Sequence, residues 1–462
     1  MTEHEIGLPD DFVTRIRASH PDADDFLRAI ESPVRTTVRL NPLKASTVRP
    51  ELALSVKWCP DGYFCTERPN FTLMPTFHAG AFYVQEASSM FLDYALNQIK
   101  PDLPDELIVI DMCAAPGGKT TLLQSSLRDR KATVWTNEII KSRATILREN
   151  VSKWGMGNAV VTSCSPQKMA EMDVKGDVIL VDAPCSGEGM FRKDHSARSE
   201  WTESAAKMCS VRQKEILREA WRMLKEGGYL IYSTCTFNPD ENELNADWII
   251  DELGGENVKI DKVQFDEIVT VESPEFKAEG YAFYPHRVES EGFFLSVFRK
   301  TGASDESSRA GKSKKGVPAL QTNKNQVGWT KGLVELTDGV LVSAMPQWCV
   351  DTVQRIACQT KPLMNGVPVA TIVKGKGQTV FTPEPELALA IALSDGAFNR
   401  LDVDRDSALC YLHGDTNLQI DGVENGWNIV CYDGLALGFV KSVGNRMNNY
   451  YPKPWRIRMN VN

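Results

Sequence analysis

Two cysteines stand where the chain places reactive groups. Cys185 lies in Asp182-Ala183-Pro184-Cys185-Ser186-Gly187-Glu188-Gly189 and Cys235 in Ser233-Thr234-Cys235-Thr236. Each follows an apolar run that reads as a buried strand, Val178–Asp182 and Tyr229–Ser233. A third run, Leu107-Ile108-Val109-Ile110, leads into Asp111-Met112-Cys113-Ala114-Ala115-Pro116-Gly117-Gly118-Lys119-Thr120 and then a helix start. Strand, glycine turn and helix N-terminus make a pocket for a nucleoside-bearing ligand, because glycine permits close approach and the helix end offers free N–H groups. In an open α/β sheet ligands bind beyond the carboxyl ends of the strands, so both thiols should face the crevice beside that ligand. A buried cysteine is usually a small hydrophobe, the reading that suits Cys113 or Cys209. Two at strand ends beside one pocket suggest nucleophilic chemistry.

The turn narrows the ligand. A P-loop also ends in Gly-Lys-Thr but needs a glycine where Cys113 stands, and a dinucleotide fingerprint needs three spaced glycines where this chain has two adjacent ones. A second apolar run, Ala132–Trp135, leads to Asn137-Glu138, and an acidic residue there is placed to bind ribose hydroxyls. An adenosine-type ligand without a pyrophosphate fits, and S-adenosylmethionine is the commonest.

The elements that must position these groups alternate strand and helix over 103–300, as in a doubly wound parallel sheet. Expected strands are Leu107–Asp111, Thr133–Asn137, Ala159–Thr162, Val178–Asp182 and Tyr229–Ser233, with a later one at Phe293–Phe298. Helices are expected near Lys119–Leu127, Lys141–Trp154 and Glu203–Leu224, the last stopped by Gly227-Gly228. Residues 1–102 read as an α+β domain, with one helix from Asp10 to Ala29 and an extended piece at Thr36–Pro42. Thr301–Thr322, rich in Ser, Gly and Lys, reads as a linker. An intermediate domain, 323–390, and a mostly-β region, 391–462, follow, with Asp433-Gly434 as a hairpin turn.

With 462 residues, the chain should hold two or three domains. No apolar run is long enough to span a membrane. The 11 cysteines lack zinc spacing, so reduced thiols in a cytoplasmic protein are expected and no metal site is. A net charge of −9 leaves room for a local basic patch. Lys441, Arg446, Lys453, Arg456 and Arg458, interleaved with Tyr450, Tyr451 and Trp455 and free of acidic residues, suit single-stranded RNA or a plain solvated strand equally. Arg39 and Asn41 are candidates for RNA phosphate or for capping a turn.

The stretch Cys113–Thr120, the blocks Asp182–Gly189 and Thr234–Thr236, and Glu241-Asn242-Glu243, with Tyr83–Ser89 as lead-in, together resemble the Sun/nucleolar-protein family of RNA (cytosine-C5) methyltransferases. Tyr411–Gly414, Gly426-Trp427, Gly438 and Asn448–Arg456 resemble its bacterial RsmF-like ribosomal RNA branch, which carries a PUA-type RNA-binding module. The resemblance implies a Rossmann-like class I methyltransferase sheet between an N-terminal α+β domain and a C-terminal PUA-like region. It implies Cys235 as the nucleophile at cytosine carbon 6, Cys185 as the group assisting proton removal and release, and Asp182 as a contact to the base. The thiols alone do not rank themselves, since DNA cytosine methyltransferases attack with the cysteine of a Pro-Cys motif. For S-adenosylmethionine the family implies Cys113, Ala114, Ala115, Pro116, Gly117, Gly118 and Lys119 on the methionine side, Glu138 on the ribose, Arg143 pairing with Glu138 or the substrate, and Asp182 near the sulfonium. Ser165 takes the place of an aspartate usual near the adenine. Arg39, Asn41, Lys193, Lys453, Trp455 and Arg456 are the expected RNA contacts, Lys193 alternatively lowering a thiol pKa or standing as a plain surface charge. The expected partner is RNA, first small-subunit 16S ribosomal RNA, naked or within the subunit, and the expected state a monomer. The competing readings are a transfer RNA methyltransferase and an idle RNA-binding or ribosome-assembly factor.

Overall fold

In the computed structural model, which describes residues 7–262, 264–302, 320–374, 379–415, 418–444 and 446–460, the chain opens with two helices rather than one. α1 (Asp10–Ser19) and α2 (Ala23–Ile30) part at His20-Pro21. Proline forces the preceding residue out of the helical region, and His20 is extended at φ −117° and ψ 124°. Phe12, Ile16, Phe26 and Ile30 still share one core, with Phe191, Trp201 and Phe237 of the catalytic region. β1 (Thr37–Leu40), β2 (Leu52–Ser55), β3 (Gly62–Cys65), α3 (Pro75–His78) and β4 (Phe82–Val84) follow. Their strands form an antiparallel sheet in the order β2-β3-β1-β4. α4 (Phe91–Ile99) leads to the large sheet.

That sheet is built from β5 (Glu106–Asp111), α5 (Gly118–Ser126), β6 (Lys131–Asn137), α6 (Lys141–Trp154), β7 (Ala159–Thr162), α7 (Pro166–Ala170), β8 (Gly176–Asp182), α8 (His195–Glu200), α9 (Glu203–Met223) and β9 (Leu224–Thr234). α10 (Glu243–Leu253), β10 (Gly255–Val258), β11 (Val269–Glu272), β12 (Glu279–Phe283) and β13 (Phe293–Lys300) complete its far side. The parallel part runs β7-β6-β5-β8-β9, and β13 and β12 extend it antiparallel. The central strands are mostly apolar and almost wholly buried because helices cover both faces. Strand order reverses at β5, so the crevice beyond Asp111 and Asp182 is the topological switch point. α9 ends at Met223, before the glycine pair expected to stop it. Leu224 is already extended, and Lys300 Nζ accounts for the freed carbonyls of Trp221 (2.9 Å) and Leu224 (3.1 Å).

Of the expected linker, residues 303–319 lie outside the described residues, and its end forms β14 (Gln321–Thr322). β15 (Val334–Thr337), β16 (Leu341–Met345), α11 (Val350–Ala357), β17 (Met364–Asn365), β18 (Val367–Lys374), β19 (Thr379–Pro383) and α12 (Pro385–Leu389) come next. β20 (Asn399–Asp402), α13 (Arg405–His413), β21 (Gly426–Tyr432), β22 (Leu435–Val443) and β23 (Arg446–Asn449) end the chain. β14-β15-β16-β18-β19 form one sheet and β20-β21-β22-β23 another. β17 leaves the first to pair antiparallel with β7, the edge of the catalytic sheet. The two C-terminal sheets share one core, with Val342, Ala344 and Val369 against Ile429, Cys431 and Phe439. Asp433 and Gly434 make the hairpin turn between β21 and β22.

Candidate active site

β8 and β9 are paired in parallel with Asp182 opposite Ser233, so the two cysteine blocks leave the sheet side by side. Cys185 Sγ and Cys235 Sγ lie 3.2 Å apart as free thiols. The hydrogen bond to Cys235 raises the Cys185 thiol well above an ordinary cysteine, and burial and the charges of Cys235 and Glu241 add to it. Asp182 accepts from Ser233 Oγ at 2.8 Å and from Lys119 Nζ at 2.7 Å. Burial opposes the Lys119 ammonium, but Asp182, with Cys235 and Asp111 adding to it, raises the group above the usual lysine value. Lys119 also stands over the Phe293 ring at 5.1 Å.

The glycine turn sits on the other side of Asp182. Gly117 takes φ +115°, and α5 begins at Gly118 with its N–H groups turned to the crevice end of the sheet. A cavity of about 170 Å³ is lined here by Tyr83, Gln85, Asp111, Cys113, Ala114, Ala115, Pro116, Gly118, Lys119 and Asp182. Asp111 is fully buried. Its Oδ2 accepts from Thr120 Oγ1 at 2.6 Å, while Oδ1 has no hydrogen-bond partner among the described residues. Burial raises this carboxyl to about 7. Burial likewise raises the Cys113 thiol, with Asp111, Asp182 and Glu138 adding to it. Glu138 directly follows β6, outside the lining of this cavity. It accepts the Ile140 N–H at 2.9 Å and meets Arg143 at 3.4 Å, and Arg143 also holds the Ala115 carbonyl at 2.9 Å. Ser165 caps α7, its Oγ accepting the Lys168 N–H at 3.2 Å, so its acceptor is engaged by its own helix.

The expected RNA contacts divide. Arg39 and Asn41 are interior, which corrects their reading as contacts to RNA phosphate, while Asn41 Oδ1 accepts the Leu43 N–H at 3.0 Å and so caps a turn, the alternative reading. The Arg39 guanidinium stacks 4.5 Å over Trp154 and donates to Gln85 Oε1 (2.8 Å), Thr121 Oγ1 (2.6 Å) and the Gly118 carbonyl (3.2 Å). It thereby fixes α5 rather than a phosphate. Asn41 Nδ2 donates to the carbonyls of Gly80 (3.0 Å) and Trp154 (3.1 Å). Lys193 is 53% exposed and pairs with Glu291 at 3.3 Å. Trp455 packs edge-on to Tyr451 and faces Lys153 Nζ at 5.7 Å, and Arg456 lies half-buried. Lys453 is exposed.

Three carboxylates, Glu86 half-buried and Glu188 and Glu241 fully buried, carry more of the site than sequence reasoning gave them. Glu86 accepts the N–H groups of Ser88, Ser89 and Glu291, joining the lead-in to the loop before β13. Glu188 accepts from Arg15 Nη2 (2.6 Å), Trp201 Nε1 (3.1 Å) and the Phe237 N–H (3.1 Å). Glu241 accepts the N–H (3.0 Å) and Oγ (2.5 Å) of Ser186 and Gln213 Nε2 (2.8 Å). Glu188 and Glu241 both sit inside the motif blocks, but nothing in the spacing shows what they bind.

No helix among the described residues is long and apolar enough to cross a membrane. Residues 98–299 match the family model for 16S rRNA methyltransferase RsmB/F. Residues 8–87 match that for the N-terminal domain of 16S rRNA methyltransferase RsmF, and 398–457 that for the methyltransferase RsmF PUA domain. Ribosomal RNA small subunit methyltransferase F of Klebsiella pneumoniae is 30% identical over 98% of this chain and 97% of its own. The enzyme of the same name from Erwinia tasmaniensis is 30% identical over 97% and 96%. A solved methyltransferase homolog protein from Pyrococcus horikoshii is 30% identical, with TM-score 0.54, over 64% of this chain and 96% of its own. With the thiols and the glycine turn at one switch point and relatives matched end to end, the chain belongs to the 16S rRNA methyltransferase RsmB/F family.

Proposed function

We propose that this enzyme moves a methyl group from S-adenosylmethionine to carbon 5 of a cytosine in small-subunit ribosomal RNA, in the cytoplasm, through a covalent adduct of Cys235 with carbon 6. The observation that carries this reading is the thiol pair, 3.2 Å apart beyond neighbouring strands and beside the glycine-turn cavity. The donor set fits the cofactor. The unpartnered Asp111 Oδ1 in the cavity wall is an acceptor for an ammonium, Asp111 and Asp182 make the wall suited to a cation, and the start of α5 offers N–H groups. Cys113–Lys119 would line its methionine side. Glu138 would take the ribose, and Ser165 would stand near the adenine. When bound, S-adenosylmethionine supplies an electrophilic methyl group.

Carbon 5 of cytosine is too weak a nucleophile to accept that methyl unaided. A Cys235 thiolate adding to carbon 6 converts the ring to an enamine whose carbon 5 can attack. Asp182, fixed by Lys119 and Ser233, contacts the base at N3 or its amino group. A base must then remove the carbon 5 proton. Cys185 takes it as a thiolate, the carbon 5–carbon 6 double bond reforms, and the carbon 6–sulfur bond breaks with its electrons returning to Cys235. The cytosine must leave its stack, since both ring faces are used.

The test is a denaturing gel of cells expressing Cys185→Ala, wild type, and the Cys185→Ala/Cys235→Ala double variant. A ribonuclease-sensitive slow band confined to the single variant is expected, and sequencing its RNA identifies the substrate. A band in the double variant would overturn the nucleophile, and transfer RNA in the adduct would overturn the ribosomal substrate.

A further inference from the structure

Glu241 lies in the thiol neighbourhood, and the reaction above gives it no role. It is fully buried, and every hydrogen bond described for its carboxylate comes from a neutral donor: Ser186 N–H, Ser186 Oγ and Gln213 Nε2. Glu188, the other buried carboxylate here, differs in being paired with Arg15 at 2.6 Å. Ser186 and Thr236 directly follow the two cysteines, and their hydroxyls meet at 2.8 Å. Gln213 also donates to the Pro184 carbonyl at 3.1 Å. One carboxylate therefore gathers the residues before and after Cys185 and, through Ser186 and Thr236, the residue after Cys235.

The charges around the pair are asymmetric. Glu241 bonds the residue after Cys185 directly and reaches the residue after Cys235 only through the Ser186–Thr236 contact, and its charge raises the Cys185 thiol. The other titratable groups facing Glu241 are Glu188, the Tyr232 hydroxyl, which donates to the Glu241 carbonyl at 2.6 Å, and Cys209. Two sulfurs in hydrogen-bond contact share a proton, which settles on the sulfur nearer the anion.

Resting on the thiol chemistry proposed above, we propose that Glu241 is a positioning residue that decides which sulfur attacks: through Ser186 and Thr236 it fixes both cysteine loops, and its charge keeps the shared proton on Cys185, leaving Cys235 as the thiolate. The arrangement also times the second step. Once Cys235 is bonded to carbon it carries no charge and no longer accepts from Cys185, and the largest constraint on the Cys185 proton disappears. Cys185 then releases that proton to solvent and takes the carbon 5 proton as a thiolate. Elimination returns Cys235 as the thiolate and Cys185 as the thiol, so the cycle closes with one proton released. Burial raises the Glu241 carboxyl to about 7, with Ser186 working against it, so the effect belongs to neutral and alkaline pH.

The test is iodoacetamide labelling of full-length protein without RNA, followed cysteine by cysteine by peptide mass spectrometry across neutral to alkaline pH. In wild type, Cys235 is expected to label before Cys185. Glu241→Gln should speed Cys185 labelling by about tenfold at a fixed mildly alkaline pH, one pH unit in its midpoint, because only the thiolate reacts. Ser186→Ala removes one donor but leaves the carboxylate in place, and should shift that midpoint less than Glu241→Gln does. An unchanged Cys185 midpoint in a Glu241→Gln protein that melts like wild type overturns the proposal, and so does an equal shift in Ser186→Ala. Should Glu241→Gln not fold, the wild-type order decides, and Cys185 labelling first overturns the proposal without any variant. Methylation of RNA is scored separately. A wild type that labels as expected but methylates no cytosine counts against the reaction, not against Glu241.

Discussion

Asp111 is a carboxyl that folding makes harder to ionise. Both oxygens are out of water and only one is hydrogen-bonded, so desolvation raises it from 3.8 to about 7. A carboxyl raised on folding contributes stability below its unfolded value, and that contribution is lost as pH rises from 3.8 to about 7. Each unit is worth about 1.4 kcal/mol, so the loss reaches at most about 4 kcal/mol. Asp111→Asn has no charge to bury and should escape it. Across this window the melting temperature of wild type should therefore fall relative to Asp111→Asn. Parallel curves for the two proteins would show that Asp111 does not carry the penalty. At this scale the sequence was uneven evidence. The glycine turn and both cysteines were legible, because tight backbone and reactive sulfur restrict residue type. Arg39 was not, because a cation in a short strand looks the same whether it meets a phosphate or, as here, carbonyls and the Trp154 ring.

Among elements, α1 has a role that its own sequence does not announce. Arg15 reaches from it between the cysteine blocks, donating to Glu188 Oε1 at 2.6 Å and to the Phe237 carbonyl at 3.2 Å. Gly189 N–H holds the Cys235 carbonyl at 2.9 Å, and a Cβ on Gly189 would stand 2.8 Å from that oxygen, so the blocks interlock through backbone as well. Arg15→Ala leaves Glu188 fully buried without its cation, which should lower stability by about 2–4 kcal/mol. Arg15→Ala/Glu188→Gln should recover part of that loss, because the double change removes the stranded charge. Denaturant melts of the four proteins check this, and strictly additive losses would show that the two side chains are not coupled. The helix pattern was readable from Phe12 and Ile16, but the single helix read from Asp10 to Ala29 ran through the break at Pro21, because the apolar spacing continues across it to Phe26 and Ile30. The partner of Arg15 was not readable, because it lies 173 residues along the chain and only tertiary structure brings it near.

At the scale of the whole molecule the C-terminal sheets are not a detachable module. β17 closes the edge of the catalytic sheet at β7, and Leu336, Met345, Cys349, Val353 and Ile356 belong to the same buried cluster as Ile110, Trp135 and Val160. The second C-terminal sheet is tied to the N-terminal domain. Asp433, at the tip of its hairpin, accepts from Ser46 Oγ (2.6 Å), Thr47 Oγ1 (2.7 Å) and the Thr47 N–H (2.7 Å). The hairpin could be read from Asp433-Gly434, but the latch could not, since a turn residue looks alike whether or not another domain docks on it. Composition also suggested a linker before these sheets, and composition says nothing of edge pairing on its far side. A chain ended at Gly302 would leave β7 as an open edge and uncover the apolar surface that those five residues close. At about 1.5 kcal/mol or more for each of the four lost large side chains, Leu336, Met345, Val353 and Ile356, the deficit is at least about 6 kcal/mol, within the roughly 5–15 kcal/mol that holds an ordinary domain together. Residues 1–302 alone should therefore melt far below the full chain or aggregate through the open edge, as scanning calorimetry and gel filtration would register. A truncated protein that stayed monomeric and melted with the full chain would mean that the shared cluster adds little and that the C-terminal region is a true appendage.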